Sequence, residues 1–70
     1  MEYKVFLVDD ARWSLNDVRY TCPFEELGFD VIGESTSAVK ALEEIRWGRP
    51  DVVFVDIRML INLVSLELTD

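Results

Sequence analysis

The sequence predicts a small α/β domain in which helices flank an open parallel sheet. Two runs of consecutive apolar residues, at positions 5–8 and 52–55, each end in aspartate, as is typical of strands buried on both faces. A segment with helical apolar spacing follows the first run, and a second such segment precedes the other. The order strand, helix, strand, helix, strand implies right-handed crossovers between parallel strands.

The first strand is predicted in "YKVFLVDD", and a helix follows it directly. Apolar residues there recur at intervals of four, three and four positions and form one stripe: Ala11, Leu15, Val18 and Cys22. Pro23 ends this helix because proline disfavours the α conformation of the residue before it. A short helical turn is predicted from Pro23 onward, and Gly28 would stop it.

The second strand is predicted in "FDVIGE", and the segment after it has the clearest helical pattern in the chain. Ser37 can cap this helix, and Gly48 followed by Pro50 marks its end. Its apolar stripe consists of Ala38, Ala41, Leu42 and Ile45. The third strand is "DVVFVD", which repeats the form of the first. Trp13 and Trp47 are predicted to be half-buried, and Cys22 to be a small buried hydrophobe.

Length and charge limit the classes of function. Seventy residues make one domain, and a domain this short usually needs a disulfide, a metal or a partner subunit. The single cysteine cannot form an internal disulfide, which leaves a metal or a partner. A net charge of −7 repels nucleic acid and anionic membranes alike. With no leader pattern and no apolar stretch of about 20 residues, a cytoplasmic protein is expected.

Three aspartates follow the predicted strands at the edge where ligands bind in open α/β sheets. Asp9 and Asp10 end the first strand and Asp56 ends the third, so the three carboxylates would converge if these strands are neighbours. Like charges that close destabilise a fold unless a cation lies among them, and Mg²⁺ prefers such oxygen ligands. The alternative is that each aspartate only terminates a strand, because aspartate disfavours strands and favours turns.

Residues 3–59 resemble the first half of a response-regulator receiver domain, the phosphoacceptor module of two-component signalling. The resemblance lies in "KVFLVDD", in "ELGFDVIGESTSAVKALEEIRWGRPDVVFVDIRM" and in the spacing between them. Within it, "FEELGFDVIGES" is similar to receivers that precede an AraC-type DNA-binding domain. The resemblance implies a flavodoxin-like (CheY-like receiver) fold and describes residues 1–70 as one partial receiver domain with a divergent tail, residues 60–70.

The resemblance also implies roles for particular residues. Asp56 would be the phosphorylated residue, with Mg²⁺ held by Asp9, Asp10, Asp56 and the backbone carbonyl of Arg58. The phosphoryl group would come from a histidine kinase or a small phosphodonor, so the chain would not be an enzyme acting on a separate substrate. A phosphatase of the haloacid-dehalogenase type is disfavoured, because that class carries a second aspartate where this chain has Arg58.

The family pattern is lost after Met59. Leu60 replaces the usual proline, and the glycine that follows in the family is missing. The tail fits either a fourth strand, with Thr69 in the place of the switch hydroxyl, or the start of a third helix; the extended form is slightly favoured. A complete receiver has five βα units and a lysine after its fifth strand. The chain is therefore expected to be truncated, with an impaired conformational response to phosphorylation.

Truncation would also leave an exposed strand edge. In the flavodoxin-like order 2-1-3-4-5 the third strand lies mid-sheet, so Val52–Val55 would become an apolar edge. Either the tail folds back onto this edge, or two copies join sheets there or exchange tails, and a dimer is predicted. The alternative to signalling is a half-flavodoxin-like fragment that acts only as an oligomerising scaffold.

Overall fold

A computed structural model describes residues 2–56, 61 and 64–66. Five elements follow one another in these residues: β1 (Tyr3–Val8), α1 (Arg12–Thr21), β2 (Phe29–Ser35), α2 (Ala38–Gly48) and β3 (Val52–Val55). The strands form one parallel sheet in the order β2-β1-β3. The predicted α/β class with flanking helices is confirmed, and the order matches the first three strands of the 2-1-3-4-5 arrangement.

The central strand β1 supplies most of the core. Its last four residues are all at most 3% exposed, because alternate side chains of a strand enter opposite faces of the sheet and helices cover both. Val5 and Leu7 pack on the α1 side with Leu15 and Phe24. On the α2 side the buried residues are Phe6, Val8 and Ala41. A run of four apolar residues is therefore explained by burial on both faces.

Helix α1 has the predicted apolar stripe, and the predicted short helical turn follows it. Leu15 is buried, and Val18 and Cys22 pack against its cluster. Cys22 is extended, with φ −93° and ψ 120°, as expected before Pro23. The short helical turn predicted from Pro23 is confirmed: the backbone N–H of Leu27 donates to the carbonyl of Pro23 at 3.1 Å. Gly28 ends this turn with a left-handed φ of 86°, which glycine adopts without a steric penalty.

Strand β2 contains a bulge that the sequence analysis did not predict. Val5 pairs with Val31 and the next residue of β1, Phe6, pairs with Gly33, so Ile32 is the extra residue. A Cβ on Gly33 would lie 2.7 Å from Cε2 of Phe6, so the Phe6 ring can pack this closely on β2 only because position 33 is glycine.

The bulge changes which face of the sheet the end of β2 presents. After it, Glu34 pairs with Leu7, a residue of the α1 side. The Glu34 carboxylate there accepts hydrogen bonds from the guanidinium groups of Arg12 and Arg19, the latter at 2.6 Å. Without the extra residue, Glu34 would point to the α2 side, because side chains alternate along a strand.

Helix α2 has the predicted start and end. The Ser37 hydroxyl oxygen accepts a hydrogen bond from the backbone N–H of Lys40 at 3.3 Å, which confirms the cap. The helix ends at Gly48, and Arg49 takes a left-handed φ of 47° before Pro50. The left-handed cap is thus an arginine, although a glycine lies beside it.

Two other predictions are corrected. Ile61 and residues 64–66 are helical, so the slight preference for an extended tail is wrong for them; the three-residue interval from Ile61 to Val64 suits one helix face. Trp13 and Trp47 are 75% and 90% exposed rather than half-buried, because Trp13 lies off the α1 stripe and Trp47 is in the last turn of α2.

No helix in the described part of the chain has both the length and the apolarity needed to cross a membrane.

Candidate metal centre

The site lies where β1 and β3 end side by side. Val8 pairs with Val55, so the next residues, Asp9 and Asp56, leave the sheet at the same level. The backbone N–H of Asp56 donates to the carbonyl of Val8 at 3.1 Å, and that of Asp9 donates to the carbonyl of Ser35 at 3.2 Å. Both aspartates are therefore attached to the sheet through their backbones.

The structure brings the three predicted carboxylates together. One oxygen from each of Asp9, Asp10 and Asp56 lies within 4.8 Å of the others. Asp9 and Asp56 are half-buried, whereas Asp10 is exposed. The convergence follows from sheet topology: β1 and β3 are hydrogen-bonded neighbours, and parallel strands end at the same edge.

These three residues fit a divalent cation. Oxygens on opposite sides of Mg²⁺ lie about 4.2 Å apart, since each Mg–O bond is about 2.1 Å. Separations of up to 4.8 Å therefore allow direct binding after a small closure, or binding of one carboxylate through water. The donors are hard anionic oxygens, and their mutual repulsion is relieved when a cation lies between them.

Asp9 is oriented by two donors from the start of α1. Its Oδ1 accepts from the backbone N–H of Ala11 at 3.0 Å, and its Oδ2 accepts from the Ser14 hydroxyl at 2.7 Å. Ala11 is the N-cap of α1 and has no capping side chain, so Asp9 supplies the acceptor at this end of the helix. Ser14 was not among the site residues predicted from sequence; the available signal was a hydroxyl residue in the first turn of α1.

An ion-pair cluster holds α1 against the end of β2. Glu34 pairs with both Arg12 and Arg19, which lie seven positions apart and so on one face of the helix. The Glu34 side chain is 18% exposed, whereas those of the two arginines are 59% and 48% exposed. The cluster thus links the helix that bears Ser14 to the end of β2, with about 0 to 1 kcal/mol expected from each such exposed pair.

An apolar groove leads to the carboxylates. It encloses about 180 Å³ between α1 and β3, with Asp9 and Asp56 at its border. Its apolar walls include Leu7, Leu15 and Phe54. Phe54 is 40% exposed although its ring centre lies 5.5 Å from that of Phe24. The described residues thus leave apolar surface of β3 open beside the acidic site.

Two predicted site residues lie outside the described part of the chain. One is Arg58, whose backbone carbonyl is a predicted metal ligand. The other is Thr69, the predicted switch residue. Both assignments stay predictions from the family resemblance.

Comparisons with known proteins relate the chain to bacterial response regulators. An uncharacterized response regulatory protein from Yersinia pestis is 38% identical over 56 residues, and one from Staphylococcus epidermidis is 37% identical over 57. A sensory transduction protein from Bacillus cereus, LytT, is 36% identical over 56 residues. No family model and no solved structure matches the chain.

The alignments cover most of this chain but little of the relatives. They include 80% or 81% of the 70 residues, and the chain spans about 22% to 23% of the length of these relatives. The predicted similarity to response regulators is confirmed by the relatives' names. The names do not mention an AraC-type output domain, so that finer assignment stays a prediction.

Proposed function

We propose that this chain is a receiver (phosphoacceptor) module of a bacterial two-component response regulator, modified on Asp56. The observation that supports this most strongly is the convergence of Asp9, Asp10 and Asp56 within 4.8 Å in a chain similar to response regulatory proteins. A histidine kinase is the proposed partner and the cytoplasm the proposed location.

In the proposed reaction, a carboxylate oxygen of Asp56 attacks the phosphorus of the donor. The new bond makes an aspartyl phosphate, and the bond from phosphorus to the donor breaks with its electron pair leaving on the donor. The backbone hydrogen bond from Asp56 to Val8 holds the nucleophile at the end of β3. Asp9 and Asp10, with Asp56 and the carbonyl of Arg58, would hold Mg²⁺, which when bound neutralises charge on the phosphoryl group.

The test is the intact mass of the 70-residue chain after incubation with acetyl phosphate and Mg²⁺. The expected result is addition of one phosphoryl group to wild type and none to Asp56→Asn. Asp51→Asn is the matched control, because this substitution also removes one negative charge. Asp51 directly precedes the same strand, at the opposite end from Asp56. Wild type that is folded by circular dichroism yet gains no mass would contradict the proposal, as would equal modification of Asp56→Asn.

A second candidate is an oligomerising scaffold without signalling, and the β3 side of the sheet favours it. Among the described residues β3 pairs only with β1, so its other edge is open to a further strand. Phe54 and the groove beside it also leave apolar surface exposed. On this proposal the chain dimerises through Val52–Val55 or through its tail, and the dimer is the stable species.

The response of the melting temperature to Mg²⁺ separates the two candidates, and light scattering at micromolar concentration tests self-association. The scaffold candidate predicts a dimeric mass, a melting temperature that rises with protein concentration and no response to Mg²⁺. A monomer whose melting temperature is independent of protein concentration would exclude self-association as the source of stability.

A further inference from the structure

Ser14 makes the second of two hydrogen bonds that hold the Asp9 carboxylate. It is half-buried in the first turn of α1, and its hydroxyl lies 2.7 Å from Asp9 Oδ2. The other oxygen accepts from the backbone N–H of Ala11 at 3.0 Å. One backbone N–H and one hydroxyl at the N-terminus of α1 thus both donate to the Asp9 carboxylate. Rotation of the Asp9 side chain would break both hydrogen bonds.

This arrangement leaves Asp9 able to bind a cation. A carboxylate has about four lone-pair sites, so two donors leave acceptor capacity on both oxygens. One of these oxygens is within 4.8 Å of oxygens from Asp10 and Asp56. Hydrogen bonds to a ligating carboxylate set its orientation, and losing such a bond typically weakens metal binding about 10- to 100-fold.

We infer that Ser14 is a positioning residue of the acidic site: its hydroxyl holds the Asp9 carboxylate in the orientation that binds a divalent cation with Asp10 and Asp56. The inference rests on the proposed function, since it concerns the same cation. The ligands come from the segments that follow the strands, and Ser14 of α1 would orient one of them.

If Ser14 had a purely structural role, the stability of the metal-free fold would depend on its hydroxyl; the contacts of Ser14 predict the opposite. The backbone N–H of Ser14 already donates to the Ala11 carbonyl at 3.0 Å, so removing the hydroxyl leaves this helical hydrogen bond in place. Alanine also has a higher helix propensity than serine. Ser14→Ala should therefore preserve α1 and the metal-free fold, while cation affinity falls.

The experiment measures Mn²⁺ binding by electron paramagnetic resonance, with Mg²⁺ as competitor, and the metal-free melting temperature of each variant. We expect Ser14→Ala to weaken binding about 10-fold or more with an unchanged metal-free melting temperature, and Ser14→Thr to restore most of the affinity. The control is Thr21→Ala, which removes a hydroxyl bonded to the Asp17 carbonyl at the other end of α1 and should leave affinity unchanged.

The outcomes separate this inference from the proposed function. If wild type binds Mn²⁺ and Ser14→Ala binds it equally well, the role of Ser14 is wrong and the metal site stands. If Ser14→Ala lowers the metal-free melting temperature and Ser14→Thr does not restore affinity, Ser14 is structural and the inference is also wrong. If folded wild type binds neither Mn²⁺ nor Mg²⁺, the metal site itself fails, and the role of Ser14 fails with it.

Discussion

Substitution of Gly33 by alanine should destabilise this domain strongly for so small a change. The added Cβ would lie 2.7 Å from Cε2 and 3.2 Å from Cδ2 of Phe6. Phe6 is 3% exposed in the central strand and packs with Val8 and Ala41, so its ring has little room to withdraw. Overpacking of this kind costs about 1 to 3 kcal/mol.

That loss is large relative to the stability of a domain of this length. A stability of about 0.05 to 0.15 kcal/mol per residue corresponds to roughly 4 to 10 kcal/mol for the 70 residues. In domains of this size each kcal/mol shifts the melting temperature by about 4 to 8 °C. The lower entropy of alanine in the unfolded chain offsets about 0.5 kcal/mol of this cost, which leaves a net loss of about 0.5 to 2.5 kcal/mol. We therefore expect Gly33→Ala to melt about 2 to 20 °C below wild type.

Thermal and urea unfolding followed by circular dichroism would measure the change in the free energy of unfolding. Gly48→Ala is the matched control: its Cβ would meet only Cδ1 of Ile32, at 3.1 Å, and alanine favours the helix by about 0.5 to 1 kcal/mol. Phe6→Leu should lower the free energy of unfolding less in the Gly33→Ala background than in wild type, because it removes the ring that the added Cβ would contact. Equal stability of Gly33→Ala and wild type, within about 0.5 kcal/mol, would refute the close-approach argument.

Three further predictions concern the caps and the metal site. Arg49→Gly should raise the free energy of unfolding by up to about 1 kcal/mol, because a left-handed φ of 47° costs an L-residue about 1 to 2 kcal/mol. The greater entropy of glycine in the unfolded chain offsets part of this gain. A lower urea midpoint would contradict the prediction. Ser37→Ala should lower it by about 1 kcal/mol through loss of the bond from Lys40, while Ser37→Asp keeps the acceptor and should stay near wild type. Millimolar Mg²⁺ should raise the melting temperature of wild type but not of Asp56→Asn, and an equal rise in both would show that the cation binds elsewhere.

The elements and the acidic site were predictable because their signals are local or follow from topology. Four consecutive apolar residues before Asp9 indicate a strand covered on both faces, and Ser37 and Gly48 delimit α2 by known capping chemistry. Once the strands are parallel and adjacent, Asp9 and Asp56 must meet at one edge, since each directly follows its strand. The approach of these carboxylates thus follows from residue order once β1 and β3 are neighbours.

What the sequence by itself determined is therefore the α/β class, the bounds of the clearest elements and the set of aspartates at the carboxyl edge. Only the tertiary structure decided the details that depend on contacts between distant residues. The bulge at Ile32 is visible only in the pairing of β2 with β1, and it turns Glu34 toward the α1 side of the sheet. The bond from Ser14 to Asp9 is local, but it depends on the conformation of the turn between β1 and α1, which the apolar pattern does not specify.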